Sequence, residues 1–165
     1  MLIEMKVAGL IVDGSGNVPL LILKDEEDRF CVPIVIGLPE ARAIVAELQE
    51  EKYPRPLTHD LLKTVIDTAG SKVEKIEVTD LRDDTFFASI YLRTGGETRV
   101  VDSRPSDAIA LALRAKAPIF VEERVIEKLG GEEKRAKPAF TGDDKQKWSE
   151  LLESLKPEDF GKYKI

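Results

Sequence analysis

Cysteine is almost missing from this chain. Cys31 is the only one in 165 residues, and it sits in the apolar run Phe30-Cys31-Val32. A lone thiol excludes a disulfide framework and a CxxC zinc site, and its apolar setting reads as a small core residue rather than a nucleophile. Aromatic residues make up only 6% and do not interleave with basic ones, which argues against a stacking platform for single-stranded nucleic acid. No glycine-rich phosphate loop, GxGxxG or GxxxxGK is present. No apolar run approaches the roughly 18 residues that span a bilayer, and Met1 to Lys6 lacks the layout of a signal peptide. No membrane association is therefore expected, and the expected location is cytoplasmic. Amides are scarce too: Asn17, Gln49 and Gln146 are the only ones. With 34% charged residues this composition resembles that of hyperthermophile proteins, which concerns habitat and not chemistry.

A chain of this length can bury roughly 70% of its unfolded surface, so it needs neither disulfide nor metal to hold a core. Its net charge of −6 opposes a bulk electrostatic grip on nucleic acid. The charge is uneven. Residues 1–51 carry 4 basic and 10 acidic side chains (−6), residues 52–116 carry 11 and 10 (+1), and residues 117–165 carry 10 and 11 (−1). The middle third is the least hostile to a phosphate backbone, although solvated faces explain the difference equally well.

Two stretches resemble each other. Lys6 to Val12, Pro19 to Leu23 and Phe30 to Ile36 read as three strands before a helix from Pro39 to about Leu48. Lys72 to Val78, Phe86 to Leu92 and Thr98 to Val101 read the same way before a helix from Pro105 to about Lys116. The expected fold is α+β, a duplicated β-β-β-α unit forming sheet(s) with helices packed on one face. Thr58 is expected to cap a further helix from His59 to Ala69, and Pro118 to Val121 to form a short strand before a helix from Glu122 to Leu129. Ile109, Leu111, Ala112 and Leu113 leave the Pro105 helix apolar nearly all round, which predicts a central, deeply buried element. The domain is expected over residues 1–130. Residues 131–165 are expected to be a charged linker, partly disordered, ending in a short amphipathic helix whose stripe Trp148, Leu151, Leu152, Leu155 needs a surface to cover it.

The most informative run is Asp102-Ser-Arg-Pro-Ser-Asp-Ala-Ile-Ala-Leu-Ala-Leu-Arg114, where a strand end gathers carboxylates, a guanidinium and two hydroxyls at a helix start. A helix N-terminus supplies free N–H groups and partial positive charge. Glu40 and Asp107 occupy equivalent helix starts, and with Asp102 they are candidate ligands for Mg²⁺ or Mn²⁺. Two such ions about 4 Å apart can clamp a phosphodiester and activate water. The plainer reading is that Glu40 and Asp107 complement helix dipoles, that Asp102, Ser103 and Ser106 are caps, and that Asp83 and Asp84 make a turn. His59 is a candidate general base or metal ligand, or it simply completes a helix start. Arg104 can grip a phosphate bidentately, or pair with Asp102 or Asp107. Arg55, Lys63, Arg82 and Arg114 can add backbone contacts or belong to solvated faces.

Several long motifs resemble the bifunctional nuclease domain family. They are Arg55-Pro-Leu-Thr-His-Asp-Leu-Leu62, Leu81-Arg-Asp-Asp-Thr-Phe-Phe-Ala88 and the Asp102–Arg114 run, with Pro33-Ile-Val-Ile-Gly37 and Ala117-Pro-Ile-Phe-Val121 fitting the same pattern over residues 1–130. The resemblance implies a duplicated α+β fold, self-association as a homodimer, and nuclease activity on DNA and RNA of the kind attributed to plant relatives. Two functions then follow as expectations. The first is a divalent-metal-dependent nuclease in which Glu40, Asp102 and Asp107 hold the ion, His59 is base or ligand and Arg104 steadies the phosphate. The second is a non-catalytic dimeric binding module.

Overall fold

Two tight turns organise the second half of the chain. Asp83 and Asp84 have φ of 47° and 57°, and Gly95 and Gly96 have φ of 55° and 90°. Positive φ at both central residues is what a two-residue hairpin needs to match the right-handed twist of its strands. These turns join β4 (Ser71–Arg82), β5 (Thr85–Thr94) and β6 (Glu97–Ser103) into an antiparallel meander. The structure, a computed structural model, describes residues 1–12 and 18–130. The linker and helix expected over 131–165 lie outside the described residues.

The first half builds β1 (Leu2–Val12), β2 (Pro19–Lys24) and β3 (Cys31–Val35), again antiparallel. They are followed by α1 (Leu38–Leu48) and α2 (Thr58–Thr68); after β6 come α3 (Pro105–Ala115), β7 (Ile119–Glu122) and α4 (Glu123–Lys128). The strands form one mixed sheet in the order β3-β2-β1-β7-β4-β5-β6, in which only β4 and β7 run parallel. β1 joins the two halves. Its first residues, Leu2 to Met5, pair with β7, and Lys6 to Val12 pair with β2 across a register shift at Gly9, whose φ of 151° a side chain would resist. The four helices pack against this sheet, an α+β arrangement in agreement with the sequence.

The core runs through both halves. Leu10, Leu21, Leu23, Ile34, Ile44, Ile76, Val78, Ile109 and Leu111 are all fully or almost fully buried. α3 is the central helix the sequence implies: Ala108 to Ala112 are completely buried, and α3 packs on α1, α2, β4 and β5. Truncating Ile109 to alanine there would cost about 2–5 kcal/mol. α4 is tied to the end of β4 by Lys128, whose Nζ donates to Asp80 Oδ1 (2.6 Å) and to the Leu81 carbonyl (3.0 Å).

Two local expectations are corrected. α2 begins one residue early, with Leu57 as its N-cap, and Thr58 is not the cap; the Leu57 N–H donates instead to Asp60 Oδ2 at 2.8 Å. At the start of α3 the N-cap is Arg104, with no side-chain cap. Ser103 Oγ donates to the Arg104 carbonyl and Ser106 is buried, so neither serine caps. In both cases a carboxylate in the third helical position takes the electrostatic role a cap would fill. α2 is unusual in another way. Its only buried residue is His59, while Leu61, Leu62 and Val65 are exposed.

Candidate active site at three helix starts

The first turns of α1, α2 and α3 meet in one chain of contacts. The third residue of each helix is acidic: Glu40, Asp60 and Asp107. A carboxylate there complements the positive end of the helix dipole, worth roughly half an elementary charge. Each of the three is also bound by an arginine of the α3 segment. Arg104 donates through Nε to Asp107 Oδ2 (2.6 Å) and through Nη2 to Glu40 Oε1 (2.8 Å), so one guanidinium bridges α3 to α1. His59 Nε2 lies 2.9 Å from Asp107 Oδ1 and brings in α2. An ionised carboxylate only accepts, so the ring must carry its proton on Nε2. His59 Nδ1 is buried and has no partner among the described residues.

A second tie stands behind the first. The Arg114 side chain is only 4% exposed. It donates through Nε to Asp60 Oδ1, through Nη1 to the Ala110 carbonyl (3.0 Å) and through Nη2 to the Ala43 carbonyl (3.1 Å). The three helices are therefore locked twice by polar contacts, once at their starts and once deeper.

The hydrogen bond from His59 holds the Asp107 carboxyl below the usual carboxylate range; burial opposes this and Arg104 adds to it. At Asp60 burial pushes upward, but Arg114 and the Leu57 N–H outweigh it and the net shift is down. A carboxyl depressed in the folded state stabilises the fold above its unfolded value, and that stability drains away as pH falls through the folded value. Unfolding free energy should therefore fall as pH drops below the ordinary 3.8 of these groups. Urea titrations at stepwise lower pH check this. In Asp107→Asn part of the acid-side slope should disappear, and an unchanged slope would refute the assignment.

Glu40 depends on a neighbour the sequence does not flag. A Cβ placed on Gly37, the N-cap of α1, would lie 2.2 Å from Glu40 Oε2. The φ of Gly37 is −76°, so its backbone accepts any residue and only the folded-back Glu40 requires glycine. Gly37→Ala should leave stability within about 0.5 kcal/mol, because the obstructing atom ends a flexible side chain. It should also swing Glu40 off Arg104. A crystal structure of the variant, paired with a thermal melt, tests this; an intact Glu40–Arg104 pair would sink it.

Of the residues singled out from sequence, Glu40, His59, Arg104 and Asp107 are brought together. Asp102 is not: it is exposed on β6 and makes no ion pair with Arg104 or any other described residue. Asp83 and Asp84 make the β4–β5 turn, as their plainer reading had it. Arg82 pairs with Asp80 and lies over the Phe87 ring, and Lys63 pairs with Asp67. Arg114 is no solvated residue but a buried tie, and its partner Asp60 has no role assigned by the sequence beyond its place in the Arg55–Leu62 motif. The recurrence of an acid at the third position of three helices was the available sign.

The donor set does not fit a divalent cation as arranged. Both Asp107 oxygens are taken, by His59 and Arg104, Glu40 Oε1 is taken by Arg104, and Asp102 stands outside. Among the described residues no group of three or more His, Cys, Asp or Glu side chains is placed to hold a metal. Neither ring nitrogen of His59 is open to a substrate, so this residue acts through Asp107. The open group is Arg104, whose side chain is 66% exposed and whose Nη1 has no partner among the described residues.

A family model described as the bifunctional nuclease domain matches residues 21–134. Uncharacterized protein MT1877 of Mycobacterium tuberculosis is 36% identical over 162 residues, 95% of this chain and 97% of its own length. Bifunctional nuclease 1 of Oryza sativa subsp. indica is 30% identical over 116 residues, and Bifunctional nuclease 2 of Arabidopsis thaliana is 30% identical over 119. Those matches cover 68% and 66% of this chain but only 35% and 36% of the plant proteins. Among the described residues no helix is long and apolar enough to cross a membrane.

Proposed function

The chain belongs to the bifunctional nuclease domain family, and on that premise we propose that it hydrolyses phosphodiester bonds in DNA or RNA at the joined starts of α1, α2 and α3. The observation that carries the reading is Arg104, an exposed guanidinium held by two acids with one nitrogen still open. A fork fixed in this way meets a phosphate without reorganising, and its charge stabilises the negative charge that builds on the phosphoryl oxygens as water attacks. Attack forms a new P–O bond to water and breaks the P–O ester bond, the departing ester oxygen taking a proton from solvent. Glu40 keeps one oxygen that Arg104 does not take, and this is the group suited to receive the proton of the attacking water. Asp107 and His59 are positioning residues that hold Arg104 at its angle.

The test is cleavage of labelled single- and double-stranded DNA and RNA with Mg²⁺, Mn²⁺ or EDTA, wild type beside folded Asp107→Asn and His59→Ala. Cleavage reduced in both variants supports the site. The EDTA arm decides whether an ion is needed, which would require Arg104 to give up at least one of its carboxylates. Equal cleavage by all three proteins, which marks a contaminating nuclease, or no cleavage favours the second reading, a non-catalytic dimeric binding module. One observation speaks for that module: both Asp107 oxygens and one Glu40 oxygen are already engaged by the protein's own groups.

A further inference from the structure

We propose that the outward face of α2 is the docking surface for the chain's own residues 148–155. Leu61, Leu62 and Val65 are 53%, 38% and 55% exposed, and with Ala69 just past the helix end they fall on one side of α2. At 100° per residue these four positions lie within about 100° of arc. His59 and the partly buried Ile66 lie on the inner side, so α2 turns much of its apolar surface to the outside. A contiguous exposed apolar strip of this kind marks an interaction site rather than scattered surface residues.

What covers it is argued from the rest of the chain. The sequence offers a second apolar strip, Trp148, Leu151, Leu152 and Leu155, at i, i+3, i+4 and i+7, outside the described residues. Two apolar strips of similar length on elements of helical period can bury each other. The reach is sufficient. α4 is tied to Thr79, Asp80 and Leu81 at one end of β4, and α2 leads through Gly70 into the other end. The twelve residues of β4 span roughly 36 Å. The 17 residues from 131 to 147 can extend to roughly 56–60 Å. A tethered segment meets its site at an effective concentration in the millimolar range, which favours it over a second copy of the chain at ordinary protein concentrations.

Trp148 is the only tryptophan, so the full chain reports on its own docking. Its fluorescence emission should be blue-shifted and should not change as protein concentration is varied over several hundredfold. In the double variant Leu61→Asp, Val65→Asp the emission should move to that of a water-exposed indole, while Val35→Asp, an equally exposed apolar site on β3, should leave it unchanged. Amide hydrogen exchange gives an independent reading: Leu151→Asp, Leu155→Asp should reduce protection in α2 and leave β4 and α3 as they were. A water-exposed emission in the unaltered chain overturns the proposal, as does a blue shift that survives the α2 variant. A blue shift that grows with protein concentration overturns it as well and assigns the face to a second copy.

Discussion

Arg104→Ala should reduce phosphodiester cleavage about 10²- to 10³-fold, the loss typical when one preorganised donor to a developing oxyanion is removed, or about 2.7–4 kcal/mol of transition-state stabilisation. The exposed guanidinium is the part of the network that meets substrate, so kcat should carry most of the loss. Arg104→Lys should recover little. A lysine has one ammonium where arginine has a fork, and it cannot hold Asp107 and Glu40 at once while keeping a donor free. Asp107→Asn is expected to fall in the same direction by a smaller factor, since it loosens Arg104 without removing it. The fold should tolerate these changes, because Arg104 lies at the surface and its ion pairs contribute little to stability there. Steady-state kinetics on the best nucleic-acid substrate, with folding checked by circular dichroism, measures the effect. Full activity in Arg104→Ala would remove this residue from the chemistry.

Arg114→Ala should be strongly destabilising, costing about 3 kcal/mol. The guanidinium is almost wholly enclosed and satisfies three acceptors on three helices: Asp60 at the start of α2, Ala43 in α1 and Ala110 in its own helix. Alanine removes all three contacts and the packing of the stem. The buried carbonyl of Ala43 is then left without this donor, and Asp60 keeps only the Leu57 N–H. In urea the midpoint should fall with an unchanged slope. For a domain of this size the thermal midpoint should drop by roughly 10 °C. Arg114→Lys should fall between, keeping the charge opposite Asp60 but not both carbonyls. Cleavage by the folded fraction should be nearly unchanged, which separates this tie from the one at Arg104. An unfolding free energy within about 1 kcal/mol of wild type would show that α2 is held by other means.

Much of the fold is legible in local sequence because its causes are local. The Asp83-Asp84 and Gly95-Gly96 pairs admit positive φ and so end strands at known places. Pro39 and Pro105 mark helix starts, because a residue without an N–H fits best where no N–H is needed. The unbroken apolar run Ala108 to Ala112 goes right round its helix, which marks that helix as buried. Helix caps were less legible. Serine and threonine are the favoured cap residues at the starts of α2 and α3, but the acid at the third position of each helix takes over, held at α3 by the adjacent Arg104 and at α2 by Arg114, 54 positions away.

The sequence alone determined an α+β domain, the residue types available for chemistry, and the helix starts on which Glu40, His59 and Asp107 would lie. These follow from periodicity, turn chemistry and backbone sterics, all of which act within a few residues. Only the tertiary structure decided which of them meet. Arg104 and Glu40 are 64 positions apart, and His59 and Asp107 are 48 apart. Their contacts exist because α1 and α2 both pack on α3. The same packing left Asp102 outside on β6, buried Arg114, and turned the apolar side of α2 outward, since which face of a helix is covered depends on its neighbours and not on its own sequence.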